Sequence, residues 1–378
     1  MKTSRSQKVL ALFICCVMAL GLVACSKDQS KTDGSKQATN VTTAKVSDKD
    51  TKATGTDNAG KKKIYTSIYP MYFLTSRIAG DKAVVENLVP SGTEAHDWEP
   101  STEDIVKLSD ADMLVYNGAG MEHWVSSIGD SVKNDKLTLV EASKGLDLIK
   151  NEEEHEHEHE HDHDADAEHD HDHEHDHDAD AEHDHDHEHE EGEEGHHHHH
   201  HHHGEWDPHV WTAPLMAKGE AQNILNALVE LDKDNAETYK ANFEKLATDL
   251  DNLDKEFQEA LKNKTRDEIV TNHSAFAYLA KAYGLKQMGI TGVYADKEPS
   301  PQKMADIVDF VKEHKVKVIF AEEILSPKVS EAIASEAGAE VKVLSPVESL
   351  STEEVQNGDD YITVMKKNIE ALKQALVD

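Results

Sequence analysis

Five histidines lie outside the one low-complexity segment of this 378-residue chain, and three of them occur where a ligand could bind. His96 lies in the loop after a predicted strand, His273 directly follows another, and His209 lies just before a predicted helix. Parallel α/β proteins bind ligands in loops beyond the carboxyl ends of their strands. Imidazoles brought together there can bind a transition metal, although a single loop histidine is usually structural or solvated. His123 and His314 are interpreted as surface residues; His314 lies near the end of a predicted helix, where histidine is common.

The other 22 histidines lie within residues 155–203. A fourteen-residue unit of acidic residues, histidines and two alanines occurs at 161–174 and again, identically, at 175–188, and eight consecutive histidines follow at 196–203. The segment has no apolar periodicity, so we expect it to be disordered without metal. It is either a solvated acidic loop with no role or a set of many weak, exchangeable metal sites in a negative field; its histidine density favours the second. The candidate auxiliary ligands are His155, His157, His159, His161, His163, His169, His171, His173, His175, His177, His183, His185, His187 and His189.

The same segment dominates the charge of the chain. Residues 152–194 hold 24 Asp and Glu and no Lys or Arg, and the formal net charge of the whole chain is −36. The remainder is ordinarily acidic and has no basic patch of the kind that nucleic-acid binding needs. We therefore expect no nucleic-acid partner.

Strands and helices alternate on both sides of the His-rich segment, which predicts parallel sheets covered by helices. We expect an N-terminal α/β lobe at 63–150, a His/Asp/Glu-rich loop at 151–205, a ligand-bearing segment and helix at 206–233, a long inter-lobe helix at 234–263 and a C-terminal α/β lobe at 264–378. The predicted fold class is α/β, with two lobes that each contain a mainly parallel sheet flanked by helices and with one long helix bridging them.

An apolar stripe marks the long helix, because residues spaced by threes and fours share one helical face. The stripe consists of Tyr239, Phe243, Leu246, Leu250, Leu253, Phe257 and Leu261. The sequence also predicts four N-terminal helix caps: Ser101 with Asp104, Asp234 with Glu237, Ser300 with Pro301, and Ser326 with Pro327.

The first 25 residues form a predicted targeting segment. Basic residues precede an apolar stretch at 9–23, which is short for a membrane span, and the stretch ends in Leu-Val-Ala before Cys25. Small residues before a cysteine at this point resemble the lipobox of bacterial lipoproteins, which implies lipidation of Cys25; a plain secretory signal is the alternative. Residues 26–62, rich in Ser, Thr, Lys and Asp, predict a flexible tether.

Three motifs carry a family resemblance over about residues 63–378. Gly-Thr-Glu-Ala-His-Asp-Trp-Glu-Pro-Ser at 92–101 resembles the G-x-x-x-H-x-x-E-P motif of metal-binding solute-binding proteins of ABC importers, and Asp-Pro-His-Val-Trp at 207–211 resembles their D-P-H-x-W motif. Ser-Pro-Val-Glu-Ser-Leu at 345–350, followed by Gly-Asp-Asp-Tyr at 358–361, resembles the segment that bears their fourth ligand. Within this family, which includes metal-binding adhesins, the chain resembles the zinc-uptake branch of ZnuA or AdcA type.

The resemblance implies a set of metal ligands and an ion. The implied ligands are His96, His209, His273 and Glu348. Three imidazoles and one carboxylate suit Zn²⁺; manganese-binding relatives have carboxylates at two of the four positions, so manganese or another divalent metal is the alternative. Glu322 and Glu323, at the end of a predicted strand, are rivals to Glu348. Trp98 and Trp211 flank ligand histidines and are predicted either to shield the site or to be ordinary core aromatics.

The resemblance further implies an extracytoplasmic lipoprotein, anchored to the bacterial cell membrane, that captures zinc between its lobes and delivers it to a zinc ABC permease. We expect a monomer that does no chemistry on the ion, with the His-rich loop as an auxiliary zinc collector. A zinc hydrolase is one rival, but it would keep an open coordination position for water, and the chain has no His-Glu-x-x-His motif. A surface metal-storage or adhesion protein that works through the His-rich loop alone is the other.

Overall fold

The computed structural model describes residues 60–151, 204–295 and 297–378. The predicted targeting segment with Cys25, nearly all of the predicted tether, and the fourteen candidate auxiliary histidines lie outside these residues. Within the described ranges, no helix is both long enough and apolar enough to cross a membrane.

The first lobe is built on a sheet of four parallel strands in the order β2-β1-β3-β4. These are β1 (Lys62–Thr66), β2 (Ala83–Asn87), β3 (Met113–Tyr116) and β4 (Thr138–Glu141). Its helices are α1 (Tyr69–Ala79), α2 (Thr102–Ser109) and α3 (Ile128–Ser131), with a 3-10 helix at His123–Ser127. Ile64 and Met113 are buried with Leu74 of α1 in one core, as expected for a parallel sheet covered by helices.

Two helices connect the lobes, α4 (Pro214–Leu231) and α5 (Ala236–Leu261). Helix α5 has 26 residues and is about 39 Å long at 1.5 Å per residue. All seven residues of the predicted apolar stripe are buried, which confirms the inward face of the long helix. Helix α5 packs against α4 and α1, so it forms part of the first lobe's core as well as the connection.

The second lobe repeats the architecture, with four parallel strands in the order β6-β5-β7-β8. These are β5 (Glu268–Thr271), β6 (Lys286–Gly289), β7 (Val318–Ala321) and β8 (Glu340–Val343). Its helices are α6 (Ala277–Tyr283), α7 (Pro301–Glu313), α8 (Lys328–Ala337), α9 (Thr352–Asn357) and α10 (Tyr361–Leu376). The predicted α/β fold with two parallel sheets and one long helix is confirmed.

Two of the four predicted helix caps are present. Ser101 and Asp104 form a capping box at the start of α2, and the Ser300 side chain accepts a hydrogen bond from the N–H of Lys303 in the first turn of α7. The prediction at Ser326 is wrong: the residue before α8 is Pro327, and no side chain caps the helix there. Proline has no side-chain acceptor, and Ser326 lies one position too early.

The predicted capping box of the long helix is also wrong. Lys233–Asn235 form a 3-10 helix, which moves the start of α5 to Ala236. The residue before α5 makes no side-chain cap bond. Glu237 instead forms an ion pair of 2.8 Å with Lys240, one turn along the helix.

Candidate metal centre

Four side chains from four separate loops converge between the two sheets. His96 lies between β2 and α2, His209 lies just before α4, His273 is two residues beyond β5, and Glu348 lies beyond β8. Their exposed fractions are 6%, 0%, 1% and 6%, respectively. The carboxyl ends of parallel strands meet at one edge of a sheet, which is why residues distant in sequence meet here. The structure thus brings together all four residues that the sequence singled out.

The four donor atoms all lie within 4.8 Å of one another. Nε2 of His209 lies 3.2 Å from Nε2 of His96 and 3.3 Å from Nε2 of His273. Oε1 of Glu348 lies 3.1 Å from Nε2 of His209, 3.2 Å from that of His273 and 3.6 Å from that of His96. A tetrahedron with edges of about 3.3 Å has its centre about 2.0 Å from each corner, which matches zinc–nitrogen and zinc–oxygen bonds of about 2.0–2.2 Å. The donor set therefore fits a single four-coordinate Zn²⁺.

Two further carboxylates fix two of the three imidazoles. Oδ1 of Asp207 accepts a hydrogen bond from Nδ1 of His209 at 2.8 Å, and Oε1 of Glu322 accepts one from Nδ1 of His273 at 2.6 Å. A proton on Nδ1 leaves Nε2 free to bind a metal, and such carboxylates both orient the ring and raise its basicity. Nδ1 of His96 is buried and has no hydrogen-bond partner among the described residues. The three imidazoles are therefore not equally restrained.

Buried charges set the protonation of the site. Burial opposes the imidazolium form of His209, but Asp207 and Glu348 outweigh burial and raise the pKa of His209 above its usual value. In His273, Glu322 and Glu348 likewise outweigh burial and raise its pKa well above the usual value. Burial also disfavours ionised Glu348, but the three histidines, His96 foremost, hold the pKa of Glu348 well below its usual range. The anionic Glu348 therefore faces two imidazoles, those of His209 and His273, that take up protons readily, and a divalent cation can replace those protons.

The loop that carries Glu348 has a constrained backbone. Val347 is fully buried and has a φ of 60°, a left-handed conformation that β-branched residues rarely adopt. The Val347 N–H donates to Oγ of Ser345, whose backbone is held on both sides by the amide of Asn368. The N–H of Tyr69, from the first lobe, donates to the carbonyl oxygen of Glu348 at 3.2 Å. Strained backbone persists only where its surroundings hold it, so these bonds keep the carboxylate in place.

A short antiparallel stem, residues 149–151 and 204–207, precedes His209. Lys150 and Trp206 pair across it as a β-bridge, and the Lys150 ammonium lies 5.8 Å from the centre of the Trp206 ring. The residues on either side of 152–203 are therefore neighbours in space.

Tyr278 of α6 attaches this stem to the second lobe. Its hydroxyl donates to the carbonyl oxygen of Asp207 at 2.7 Å and accepts from the N–H of Ile149 at 3.1 Å. Because Asp207 also holds His209, the stem is joined through one residue to the metal centre.

The remaining sequence predictions have mixed outcomes. Trp211 is fully buried, with its ring 5.6 Å from that of His209, so it is a core aromatic that also packs against a candidate ligand. Trp98 is half-buried and packs edge-on against another tryptophan of the first lobe. Glu323 is exposed and lies outside the four-residue cluster. His123 and His314 lie at the surface, as expected.

Sequence reasoning alone misses two contributors to the site. Asp207 lies within the Asp-Pro-His motif, and an acidic residue two positions before a candidate ligand histidine is a usable signal for the hydrogen bond that it makes here. Tyr294 lies in the loop after β6, with its ring 5.4 Å from that of His96, and no motif marks it. Glu322, predicted as a rival ligand, instead lies behind His273 and holds its ring.

The chain matches one known family over most of its length. The family described as zinc-uptake complex component A, periplasmic (ZnuA), matches residues 64–375. The high-affinity zinc uptake system protein ZnuA of Bacillus subtilis (strain 168) is 40% identical over 327 residues, which are 86% of this chain and 91% of that protein.

A streptococcal relative and its solved domain are also similar. The zinc-binding lipoprotein AdcA of Streptococcus pneumoniae (strain ATCC BAA-255 / R6) is 35% identical over 367 residues, which are 97% of this chain but 61% of that longer protein. The crystal structure of the Zn(II)-bound ZnuA-like domain of Streptococcus pneumoniae AdcA has a TM-score of 0.64 and 33% identity, and the match covers 84% of this chain and all of that domain. The solved domain therefore shares the fold described above.

Proposed function

The chain belongs to the ZnuA family, the periplasmic component A of zinc-uptake complexes, and we propose that it captures Zn²⁺ between its lobes and delivers it to a zinc ABC importer. His96, His209, His273 and Glu348 are the proposed ligands. Members of this family are solute-binding proteins rather than enzymes, so the ion is cargo and undergoes no reaction.

One observation carries this proposal: four buried donor atoms from four loops all lie within 4.8 Å of one another, a spacing that suits a single four-coordinate ion. Three imidazole nitrogens that face one another are unfavourable neighbours unless a proton or a metal ion lies among them. Three nitrogens and one oxygen also match the preference of zinc, whereas manganese prefers a harder, oxygen-rich set. The ligands are buried and held in place before the ion arrives, which lowers the cost of binding.

The regions outside the described residues have proposed roles of their own. We propose that Cys25 carries a lipid anchor outside the cytoplasm, which the naming of the pneumococcal relative as a lipoprotein supports. We also propose that the His-rich loop collects zinc on weak sites close to the cleft, since the stem leads from it within a few residues to His209. We also propose the domain boundaries that the sequence predicts.

A titration of a shortened chain tests the cleft assignment. Because Lys150 and Trp206 are paired, residues 152–203 can be replaced by Asn-Gly, which together with Gly204 forms a three-residue antiparallel connection. The shortened chain should bind one Zn²⁺ tightly, Mn²⁺ should compete poorly, and His209→Ala should greatly weaken binding. His314→Ala is the matched control, since this histidine is at the surface. Equal zinc affinity in the His209→Ala variant would overturn the assignment.

A further inference from the structure

We infer that Tyr294 is a positioning residue that restrains His96 for metal binding and slows release of the ion. This inference rests on the proposed metal site, and it concerns a residue of the second lobe that acts on a ligand of the first. It would make Tyr294 a determinant of how long the cargo stays bound rather than of which ion is chosen.

The first observation is the unequal restraint of the three imidazoles. Asp207 and Glu322 fix the rings of His209 and His273 through hydrogen bonds to Nδ1. Nδ1 of His96 has no such partner among the described residues. His96 therefore needs another contact to hold its ring in the geometry that coordination requires.

Tyr294 supplies that contact. Its ring meets the His96 ring edge to face, with centroids 5.4 Å apart and planes at 80°, an arrangement that aromatic pairs favour. His96 is 6% exposed, whereas Tyr294 is half-buried, so the tyrosine is the more exposed member of the pair. A ring packed in this way limits rotation of the imidazole.

The Tyr294 hydroxyl is held in place by a hydrogen bond of its own. It accepts a hydrogen bond from the N–H of Gly204 at 2.9 Å. A Cβ atom on Gly204 would lie 2.8 Å from this hydroxyl oxygen, and one on Gly120 would lie 3.1 Å from it. The hydroxyl thus occupies a notch between two glycines, where larger residues would displace it. Gly204 belongs to the stem, so Tyr294 links the stem to His96.

Two tyrosines of the second lobe contact the stem, and each is connected to a different histidine of the site. Tyr278 bonds the carbonyl oxygen of Asp207, which holds His209. Tyr294 bonds Gly204 and packs on His96. Of these two tyrosines, Tyr294 is the one whose ring packs on a proposed ligand, which is why the inference is assigned to it.

The test is release of zinc from the full chain, loaded with half an equivalent of Zn²⁺, into excess chelator. Tyr294→Ala should release zinc faster by roughly ten- to a hundredfold, the range typical for loss of residues that orient metal ligands. Tyr294→Phe keeps the ring against His96 and loses the bond to Gly204, so its release should be faster than that of the parent but slower than that of the alanine variant. Gly204→Ala, which pushes on the hydroxyl from the other side, should also accelerate release.

A spectroscopic readout separates positioning from general loosening. With Co²⁺ in place of Zn²⁺, the visible absorption of Tyr294→Ala should differ from that of the parent, because His96 changes its position, and Tyr294→Phe should restore the parental spectrum. Tyr72→Ala is the matched control, since Tyr72 is also half-buried but lies in α1 of the first lobe. Parental release and spectrum in Tyr294→Ala, or equal acceleration in Tyr72→Ala, would overturn the inference. If instead the parent and His209→Ala release zinc equally fast, the proposed cleft site itself is wrong, and the inference falls with it.

Discussion

The indole Nε1 of Trp211 donates a hydrogen bond of 2.7 Å to the carbonyl oxygen of Pro346. Trp211 is two residues beyond His209, and Pro346 is two residues before Glu348, so this bond joins the loops of two proposed ligands. The carbonyl oxygen of Trp211 in turn accepts from the Tyr361 hydroxyl at 2.6 Å. The spacing between an imidazole and the carboxylate is therefore set by protein contacts.

Trp211→Phe should destabilise the metal-free protein and weaken zinc binding. The substitution keeps an aromatic ring but leaves the Pro346 carbonyl oxygen buried without its partner, which costs about 1–3 kcal/mol. Thermal unfolding of the metal-free protein and chelator competition measure the two effects. Trp98→Phe is the control, since Trp98 is half-buried within the first lobe. Equal losses in both variants would mean that the bond between the loops has no special role.

Asp207→Asn should lower zinc affinity by roughly ten- to a hundredfold, the usual cost of losing a carboxylate that holds a ligand histidine. The amide has nearly the same shape, so the change isolates the negative charge beside His209. Chelator competition at fixed pH measures it, with Asp251→Asn as the control, because Asp251 pairs with Lys218 at the surface. An unchanged dissociation constant for zinc would show that the charge of Asp207 does not contribute to metal binding.

Zinc affinity should fall as the pH falls, and the fall should begin above the usual histidine pKa of about 6.5. The pKa values of His209 and His273 are raised in the metal-free site, so both rings take up protons at a higher pH than free histidine does. Zinc needs neutral imidazoles, whereas Glu348 is already ionised there. Calorimetry at neutral pH in two buffers with different ionisation enthalpies should detect proton release on binding. Absence of proton release, with constant affinity between pH 7.5 and about pH 5, would contradict a site of three histidines.

Cys25→Ser should change where the protein is found in the cell. A serine has no thiol to lipidate, so the variant should be released into the medium or remain unprocessed. Fractionation of cells, followed by mass determination of the mature chain, distinguishes these fates from anchoring. A cleaved Cys25→Ser protein that stays in the membrane fraction would rule out the lipid anchor.

The His-rich loop should bind several further zinc ions, each more weakly than the cleft. Each of its sites must be ordered when it forms, which costs conformational entropy. Titration of the intact chain should therefore show one tight ion and then weaker ones, and replacement of residues 152–203 should remove only the weaker ones. A strain with the shortened chain should grow normally in ample zinc and poorly under strict limitation. Equal growth of both strains under limitation would rule out a collecting role.

The sequence predicts the architecture well because its signals are local. The apolar stripe of α5 and the caps at Ser101 and Ser300 depend on residues within a few positions of one another, and the structure contains all three. The cap predicted at Asp234 is wrong because a 3-10 helix precedes α5 and contains the residue that would have capped it. The periodicity of apolar residues predicts that a helix is present, whereas the position of its first turn depends on the backbone conformation of the preceding segment.

The choice among Glu348, Glu322 and Glu323 shows where sequence reasoning ends. Glu322 and Glu323 follow β7 and Glu348 follows β8, so strand topology alone places them all at the same edge. Only the packing of His273 shows that Glu322 faces Nδ1 and Glu348 faces Nε2. Tyr294 is harder still, because its contact with His96 crosses from one lobe to the other and no sequence pattern spans that distance.

The stem also determines what this part of the chain can tolerate. Its two strands already meet at the Lys150–Trp206 bridge, so an unstructured insertion between them closes a loop whose ends are fixed by the folded protein. Loop-closure entropy grows only with the logarithm of length, and each doubling costs about 0.6 kcal/mol. Insertions of very different length and composition, including a folded reporter domain, should therefore be accommodated here at little cost to the lobes. The position is a natural attachment point for converting the protein into a sensor of the ion that it binds.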